Sequence, residues 1–390
     1  MTASRRFDLK ILFTSSLLFN MGAAVATLSV TLYAIRLGAS PLQLGLIGMI
    51  WPSVYTFSCL VSGRLADRFP GRTLPTVGTA MACGSFYLTS TASTPLQIMI
   101  LVVPAGAGFA LVWPPVEAWI AHLSTAQDLR KNFGIFNISW CLGAAPGPLL
   151  AGVASDLNTS LSFGIGILLM AISGGMVFTR TGKIPRQTAT PLSEAQERSR
   201  KFLYLAWIAN FATYFAVGIV RSLFPKLIDQ LGMSGATTGA LLSAVSFSQV
   251  LMFALLSSTS WWHHRIVPLV VSQGAVLASC LLIYSTSSFA SFLPVMFLLG
   301  SSLGVVYFSS IYYSLDAPAG LGTRSGLHEA IIGLGIVAGP LSGGIVAQRW
   351  TLRTPYLLSA LVLASSIVVV LILWAARNMS SSAANRTRAE

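Results

Sequence analysis

Charge is what this sequence has least of. Only 9% of its 390 residues are Asp, Glu, Lys or Arg, whereas 54% are apolar. Soluble domains carry about 25% charged residues, so this chain has too little polar surface to cover a water-soluble globule. Its apolar runs are long and continuous, and a spanning helix needs about 20 such residues. The composition therefore excludes a large soluble catalytic domain and predicts an all-α polytopic membrane protein.

Residues that build covalent or metal-bound sites are also scarce. The four cysteines lie inside apolar runs, without the spacing of a disulfide framework or a metal site. The 11 acids and four histidines form no cluster that would supply a nucleophile or bind a metal, and the chain has no phosphate-binding P-loop. We therefore predict no catalytic residue, no metal and no cofactor, and we do not expect an enzyme.

The basic residues predict topology. Although the formal net charge is +13, the Lys and Arg residues sit in short clusters between apolar runs, which does not suggest a nucleic-acid partner. With the N-terminus in the cytoplasm, most of the 24 Lys and Arg residues fall on the cytoplasmic side, against Arg36, Arg349 and Arg353 outside. Because Lys and Arg mark cytoplasmic loops, we predict a multi-pass protein of the plasma membrane (a bacterial inner membrane) with both termini cytoplasmic.

Polar breaks divide the apolar runs into twelve predicted spans, at 9–36, 41–63, 73–91, 96–121, 132–154, 160–179, 202–228, 236–258, 266–286, 291–315, 325–348 and 354–376. The longest polar connection follows span six. We predict an N-terminal six-helix bundle at 1–180, a cytoplasmic linker at 181–200, a C-terminal six-helix bundle at 201–378 and a cytoplasmic tail at 379–390.

A repeated glycine–proline pattern relates two of the spans. The pattern in span five recurs with the same spacing in span eleven, and its members are Gly134, Gly143, Gly147, Pro148 and Gly152 in the first copy and Gly326, Gly335, Gly339, Pro340, Gly343 and Gly344 in the second. A second repeat pairs residues 37–40 (LGAS) with 231–234 (LGMS). Small residues let helix backbones approach closely in lipid, and the Gly-Pro pair adds a kink. The pattern serves either tight packing alone or gating, and both interpretations predict two pseudo-symmetric halves.

The loop after span two carries the most specific motif of the chain, Gly63-Arg64-Leu65-Ala66-Asp67-Arg68-Phe69-Pro70-Gly71-Arg72. With twelve spans and two related halves, it resembles the signature of the major facilitator superfamily, with Pro70 as an extra residue. The span-five pattern resembles the antiporter-associated motif of that family, with Ala151 in place of one glycine.

The resemblance implies a gating role for Gly63, Asp67, Arg68, Gly71 and Arg72. Asp67 would lie against the start of span eleven near Gly326, where an anion meets the positive end of a helix dipole. Arg68 and Arg72 would pair with Asp128. Such contacts form only when the halves close on the cytoplasmic side, so they would bias the access equilibrium.

Two carboxyl groups lie clearly within apolar runs, Glu117 in span four and Glu329 in span eleven. A carboxylate in the hydrocarbon region is costly, so each should face a wet cavity or a partner. Because burial disfavours the charged form, both are proton-coupling candidates. Alternatively, Glu117 pairs structurally with a neighbouring helix, and Glu329 stabilises the first turn of span eleven.

Arg221 is the one base well inside a run. It would either attract an anionic substrate group or snorkel to the external interface. The other substrate-cavity candidates are polar or aromatic residues inside the runs, Asn20, Trp113, Asn137, Tyr214 and Tyr307. The resemblance implies that spans one, four, seven and ten line the central path, and these spans carry all but Asn137.

The resemblance implies a secondary active transporter that moves a small organic solute by alternating access. We expect a monomer in the lipid bilayer that couples to protons and exports an amphipathic or drug-like compound. Uptake of an organic anion or metabolite through Arg221 is the alternative, and a non-transporting membrane scaffold is an alternative of another class.

Overall fold

A computed structural model describes residues 3–66, 69, 71–125, 128–179, 197–316 and 321–386. Regular structure in these ranges is helical, in fourteen segments: α1 (Ala3–Arg36), α2 (Pro41–Ala66), α3 (Thr73–Ser90), α4 (Pro95–Leu101), α5 (Val103–Leu123), α6 (Leu129–Ala144), α7 (Gly147–Leu157), α8 (Thr159–Phe178), α9 (Glu197–Gln230), α10 (Gly235–Ser257), α11 (Val267–Ser285), α12 (Phe289–Asp316), α13 (Leu321–Arg349) and α14 (Thr354–Arg386).

These segments form twelve rods, because α4 continues into α5 at Val102 and α6 continues into α7 at residues 145–146. Ten of the described rods are long and apolar enough to cross a membrane, and α2 and α3 fall outside that set. The predicted all-α architecture with twelve helices is confirmed.

Proline explains why one copy of the glycine–proline repeat is broken and the other is continuous. Pro146 lies between α6 and α7, and Pro148 follows at the start of α7. A proline ring removes a backbone N–H and clashes with the preceding turn. At the position of Pro146 the second copy has Ala338, and α13 runs without interruption through Pro340.

The rods divide into two bundles, α1–α8 and α9–α14. In the first, α1 packs on α6 and α8, and α5 packs on α2 and α3; in the second, α9 packs on α13, α12 and α14. Between the bundles, α2 packs on α13 and α7 packs on α10. The internal repeat relates α2 to α10 and α7 to α13, so the two helix pairs are equivalent. The two pseudo-symmetric bundles are thus confirmed, whereas most of the predicted linker lies at 180–196, outside the described residues, so the domain boundaries stay predictions.

The repeat at 37–40 and 231–234 forms two matching turns. Gly38 and Gly232 have positive φ angles of 78° and 73°, which glycine adopts without a steric penalty. The Ala39 N–H donates to the Ala34 carbonyl at 2.9 Å, and the Met233 N–H donates to the Ile228 carbonyl at 3.1 Å. This pattern is the Schellman motif that ends a helix. Below, the terminal end is the end of the protein at which α1 begins. The opposite end is the other end, which holds these two turns.

The glycines of the repeat lie where backbones approach each other. Within the bundles, a Cβ at Gly143 would overlap the Leu17 carbonyl, and a Cβ at Gly335 would lie 2.8 Å from the Phe211 carbonyl. Gly147 similarly faces α1, and Gly339 and Gly343 face α9. Gly134 has open space around it. Gly326 is part of α13, but its surroundings lie outside the described residues.

The last glycines of each copy lie between the bundles. A Cβ at Gly344 would lie 2.9 Å from the Pro41 carbonyl, and a Cβ at Gly152 would overlap the Gly235 carbonyl. Both pairs belong to the opposite end. The two halves therefore meet closely at that end.

Candidate functional site

Glu117 and Glu329 open into the space between the two bundles. Glu117 lies about 9 Å before the end of α5 and Glu329 about 12 Å after the start of α13, so both are at similar depth from the terminal end. The Glu117 side chain is exposed, and that of Glu329 is 54% exposed. Glu117 and Glu329 lie in different bundles, and their helices α5 and α13 both pack against α2. We therefore take the space between the bundles beside α2 as the candidate cavity.

Two residues of α2 belong to the same region. Tyr55 and Cys59 lie about one turn apart on α2, the helix that packs against both α5 and α13. Sequence reasoning missed this pair, although residues four apart share one face of a helix and the polar Tyr55 hydroxyl inside an apolar run was the available signal. The wall of the cavity thus includes α2 as well as the helices that were predicted to line it.

An aromatic cluster is centred on Tyr307. Its ring centroid lies 5.5 Å from that of Phe253, 6.4 Å from that of Tyr214 and 6.2 Å from that of Trp140. Trp140 belongs to the first bundle and the other three to the second, so the cluster bridges the halves. Tyr214 and Tyr307 are 5% and 7% exposed. Phe253 was not among the sequence candidates.

Arg221 lies deeper than this cluster. It is about 14 Å before the end of α9 at the opposite end, and its side chain is exposed. Because α9 is largely enclosed by the other rods, this exposed side chain favours the first of the two roles predicted for it.

His328 connects Glu329 to the packing of the second bundle. It is 1% exposed, and its Nδ1 lies 2.7 Å from the Ser310 hydroxyl and 3.5 Å from the Asn210 amide nitrogen. Its Nε2 lies 3.9 Å from Glu329 Oε1. The prediction that Glu329 stabilises the first turn of span eleven is wrong, because α13 begins at Leu321, two turns earlier.

The remaining cavity candidates position aromatic rings. Asn20 donates from Nδ2 to the Trp140 carbonyl at 2.8 Å, which ties α1 to α6, and Asn137 Oδ1 accepts from Trp140 Nε1 at 3.0 Å. The Trp113 ring packs at 5.4 Å from the ring of Phe19. These contacts fix the tryptophans that bound the cavity.

The gating motif is described only in part. Gly63 lies in the last turn of α2, Gly71 is buried, and Asp67 and Arg68 lie outside the described residues, so their contact with α13 stays a prediction. Arg72 donates to the Phe178 carbonyl at 3.2 Å, and its guanidinium lies 5.3 Å from the Phe178 ring. These described partners belong to α8, and the resemblance had implied Asp128 instead.

A separate pocket of about 920 Å³ lies at the opposite end of the second bundle. The cations in its wall are used for structure: Lys226 donates to the Ala39 carbonyl at 2.7 Å, and Arg353 donates to the Tyr284 and Thr286 carbonyls, each at 2.7 Å. Because it lies within one bundle, the central cavity and not this pocket is the candidate functional site. Within the described ranges, no group of three or more His, Cys, Asp or Glu residues is placed to hold a metal ion.

Comparison with known proteins identifies the family. The model of the Major Facilitator Superfamily matches residues 12–326 and 206–390. The chain belongs to the major facilitator superfamily. It is 24% identical over 360 residues to an uncharacterised MFS-type transporter of Methanocaldococcus jannaschii, covering 87% of this chain and 90% of that one. It is 26% identical over 170 residues to the multidrug resistance protein MdtG of Klebsiella pneumoniae, covering 41% and 40%.

Solved structures of MFS transporters share the fold. A bacterial homologue of the human lysosomal transporter Spinster, inward-facing and occupied, gives a TM-score of 0.72 at 13% identity and covers 98% of both chains. The peptide transporter POT gives 0.74 at 13% identity, covering 95% of this chain and 94% of the other. The protein is therefore a multi-pass membrane transporter of the MFS class, which handles small-molecule solutes, and the alternative of a non-transporting scaffold falls.

Proposed function

We propose that this MFS transporter exports a small amphipathic or drug-like compound in exchange for protons. The observation that carries the proposal is the pair Glu117 and Glu329, one exposed carboxyl group from each half at similar depth, on two helices that both pack against α2. The multidrug resistance protein MdtG among its relatives agrees with this substrate class.

Proton coupling follows from how the two acids respond to closure. Two carboxylates that share a confined space resist being ionised together. Rocking of the halves at the terminal end brings α5 and α13 together and strengthens that repulsion. Closure at the terminal end therefore favours uptake of a proton, and reopening favours its release. Glu117 is the principal site, and Glu329 with His328 is the second member of the pair.

The substrate class follows from the cavity wall. Trp140, Tyr214, Phe253 and Tyr307 offer aromatic surface, on which flat apolar rings pack in offset or edge arrangements. The acids near the terminal end favour a solute with a positive or hydrogen-bond-donating group. With the terminal end on the cytoplasmic side of a bacterial inner membrane, a monomer in this state would load its solute from the cytoplasm.

Uptake of an organic anion is the second candidate function. It is favoured by Arg221, whose exposed side chain lies on the enclosed helix α9. An anion bound there would lie beyond the aromatic cluster, on the side of the opposite end. Under this alternative the acids discriminate against anions at the terminal end, and transport would run from the opposite end inward.

The test begins with thermal stabilisation of the purified protein across a library of amphipathic cations, neutral aromatics and organic anions. Compounds that stabilise it are then offered to proteoliposomes with an imposed pH gradient. Accumulation of an amphipathic compound driven by an opposing proton gradient supports the proposal. Gradient-driven movement of anions alone supports the alternative, and stabilisation without any dependence on the gradient contradicts proton coupling.

A further inference from the structure

One carboxylate ties the two halves together at the opposite end. Asp156, in the last turn of α7, accepts the Gly235 N–H at 2.9 Å with Oδ1 and the Ala236 N–H at 2.8 Å with Oδ2. These N–H groups belong to the first turn of α10 in the other bundle. A negative charge at a helix N-terminus is stabilised by the helix dipole as well as by the hydrogen bonds.

The internal repeat places a second contact of the same kind on the other side. Gln348, in the last turn of α13, accepts the Leu42 N–H of α2 with Oε1 at 3.4 Å. Gln348 stands in the same register to Gly339-Pro340 as Asp156 does to Gly147-Pro148, and Leu42 in the same register to Gly38 as Ala236 does to Gly232. The two contacts are thus pseudo-symmetric, like the helix pairs α7–α10 and α13–α2 on which they lie.

The two contacts differ in strength. Asp156 brings a charge and two short hydrogen bonds, whereas Gln348 is neutral and makes one long hydrogen bond. Charge-assisted hydrogen bonds are roughly twice as strong as neutral ones. The helices approach closely at both sites, because a Cβ at Gly152 or Gly344 would collide with the helix of the other bundle.

We propose that Asp156 and Gln348 are two pseudo-equivalent latches of unequal strength that hold the opposite end closed. Opening at that end must pull α10 off Asp156 and α2 off Gln348, and both contacts are absent from any state in which the halves have separated there. The latch charge therefore sets the balance between the two access states. The proposal rests on the family's two-half architecture and not on the identity of the solute or the coupling ion.

The experiment exchanges the latch charges. Spin labels at Leu96 and Ala290, exposed positions in the first turns of α4 and α12, report the separation of the halves at the opposite end by pulsed electron resonance, in a background with the four cysteines replaced. Asp156→Asn should raise the ratio of open to closed distances about fivefold. Gln348→Glu should lower it by a similar factor, and the double variant Asp156→Asn/Gln348→Glu should return it close to the parental value.

Asp229→Asn removes the same charge from an exposed position in the last turn of α9, also at the opposite end, and serves as the matched control, so it should leave the distances unchanged. Retained thermal unfolding midpoints keep the comparison independent of folding. Unchanged distances in both single variants would overturn the proposal. So would a double variant that is more open than Asp156→Asn alone, because a charge at Gln348 would then oppose closure.

Discussion

Glu117 on α5 and Glu329 on α13 belong to different halves, yet they lie at similar depth from the terminal end on two helices that both pack against α2. Under the proposed function, a change in the charge of either acid alters the electrostatic cost of bringing the halves together at the terminal end. Proton binding and closure would then be linked without any contact to the solute.

Glu117→Gln should uncouple transport from protons. The amide keeps the size of the side chain but cannot release a proton, so we expect gradient-driven transport to fall at least about tenfold while substrate binding and exchange remain measurable. Proteoliposomes with and without a pH gradient provide the measurement. Equal dependence on the gradient in the variant and the parent would remove Glu117 from the mechanism.

Glu329→Gln should interact with Glu117→Gln in a double-mutant cycle. Because two carboxylates in a shared cavity would repel each other, removing either should relieve the repulsion that the other feels. We expect the effects of the single variants on the pH dependence of transport to be non-additive. Additive effects would show that the two acids titrate independently.

Arg221→Gln should weaken binding of anionic solutes selectively. A charged hydrogen bond contributes roughly 1.5–3 kcal/mol, so we expect an affinity loss of about tenfold or more for anions and little change for cations. Arg221→Lys, which keeps the charge, is the control and should retain most of the anion affinity. Equal losses for anions and cations would indicate that Arg221 only supports the structure.

Gly143→Ala should lower stability, and Gly134→Ala should not. A methyl group at Gly143 would overlap the Leu17 carbonyl, whereas Gly134 has open space around it. Overpacking costs about 1–3 kcal/mol, and replacing an exposed helical glycine by alanine gains up to about 1 kcal/mol. Thermal unfolding of the purified variants tests the pair, and equal midpoints would contradict the close approach of α1 and α6.

Much of the fold follows from the sequence because long apolar runs have one stable form in lipid. The predicted span at 132–154 matches the rod of α6 and α7, and the span at 236–258 matches α10 within a few residues. The Gly-Pro pair predicted a kink in both copies, whereas the structure has a break at residues 145–146 in the first copy and a helix that continues through Pro340 in the second. Its effect depends on whether the freed backbone groups find other partners.

The site was harder to predict than the fold. Glu117, Glu329 and Arg221 could be identified in the sequence because a charged side chain within the hydrocarbon region must face a water-filled cavity or a partner. Tyr55, Cys59 and Phe253 did not, since an apolar residue faces lipid and protein at nearly equal cost and the inward face of a spanning helix leaves little periodic signal. The latch of Asp156 on α10 depends on how the two halves are docked, which no pattern within one helix records.

The gap between α6 and α7 distinguishes the two copies of the repeat. Pro146 interrupts the hydrogen-bond ladder of the rod that carries Asp156, whereas α13 is continuous as far as Gln348. The charged contact between the halves is therefore carried by the interrupted rod and the neutral contact by the continuous helix.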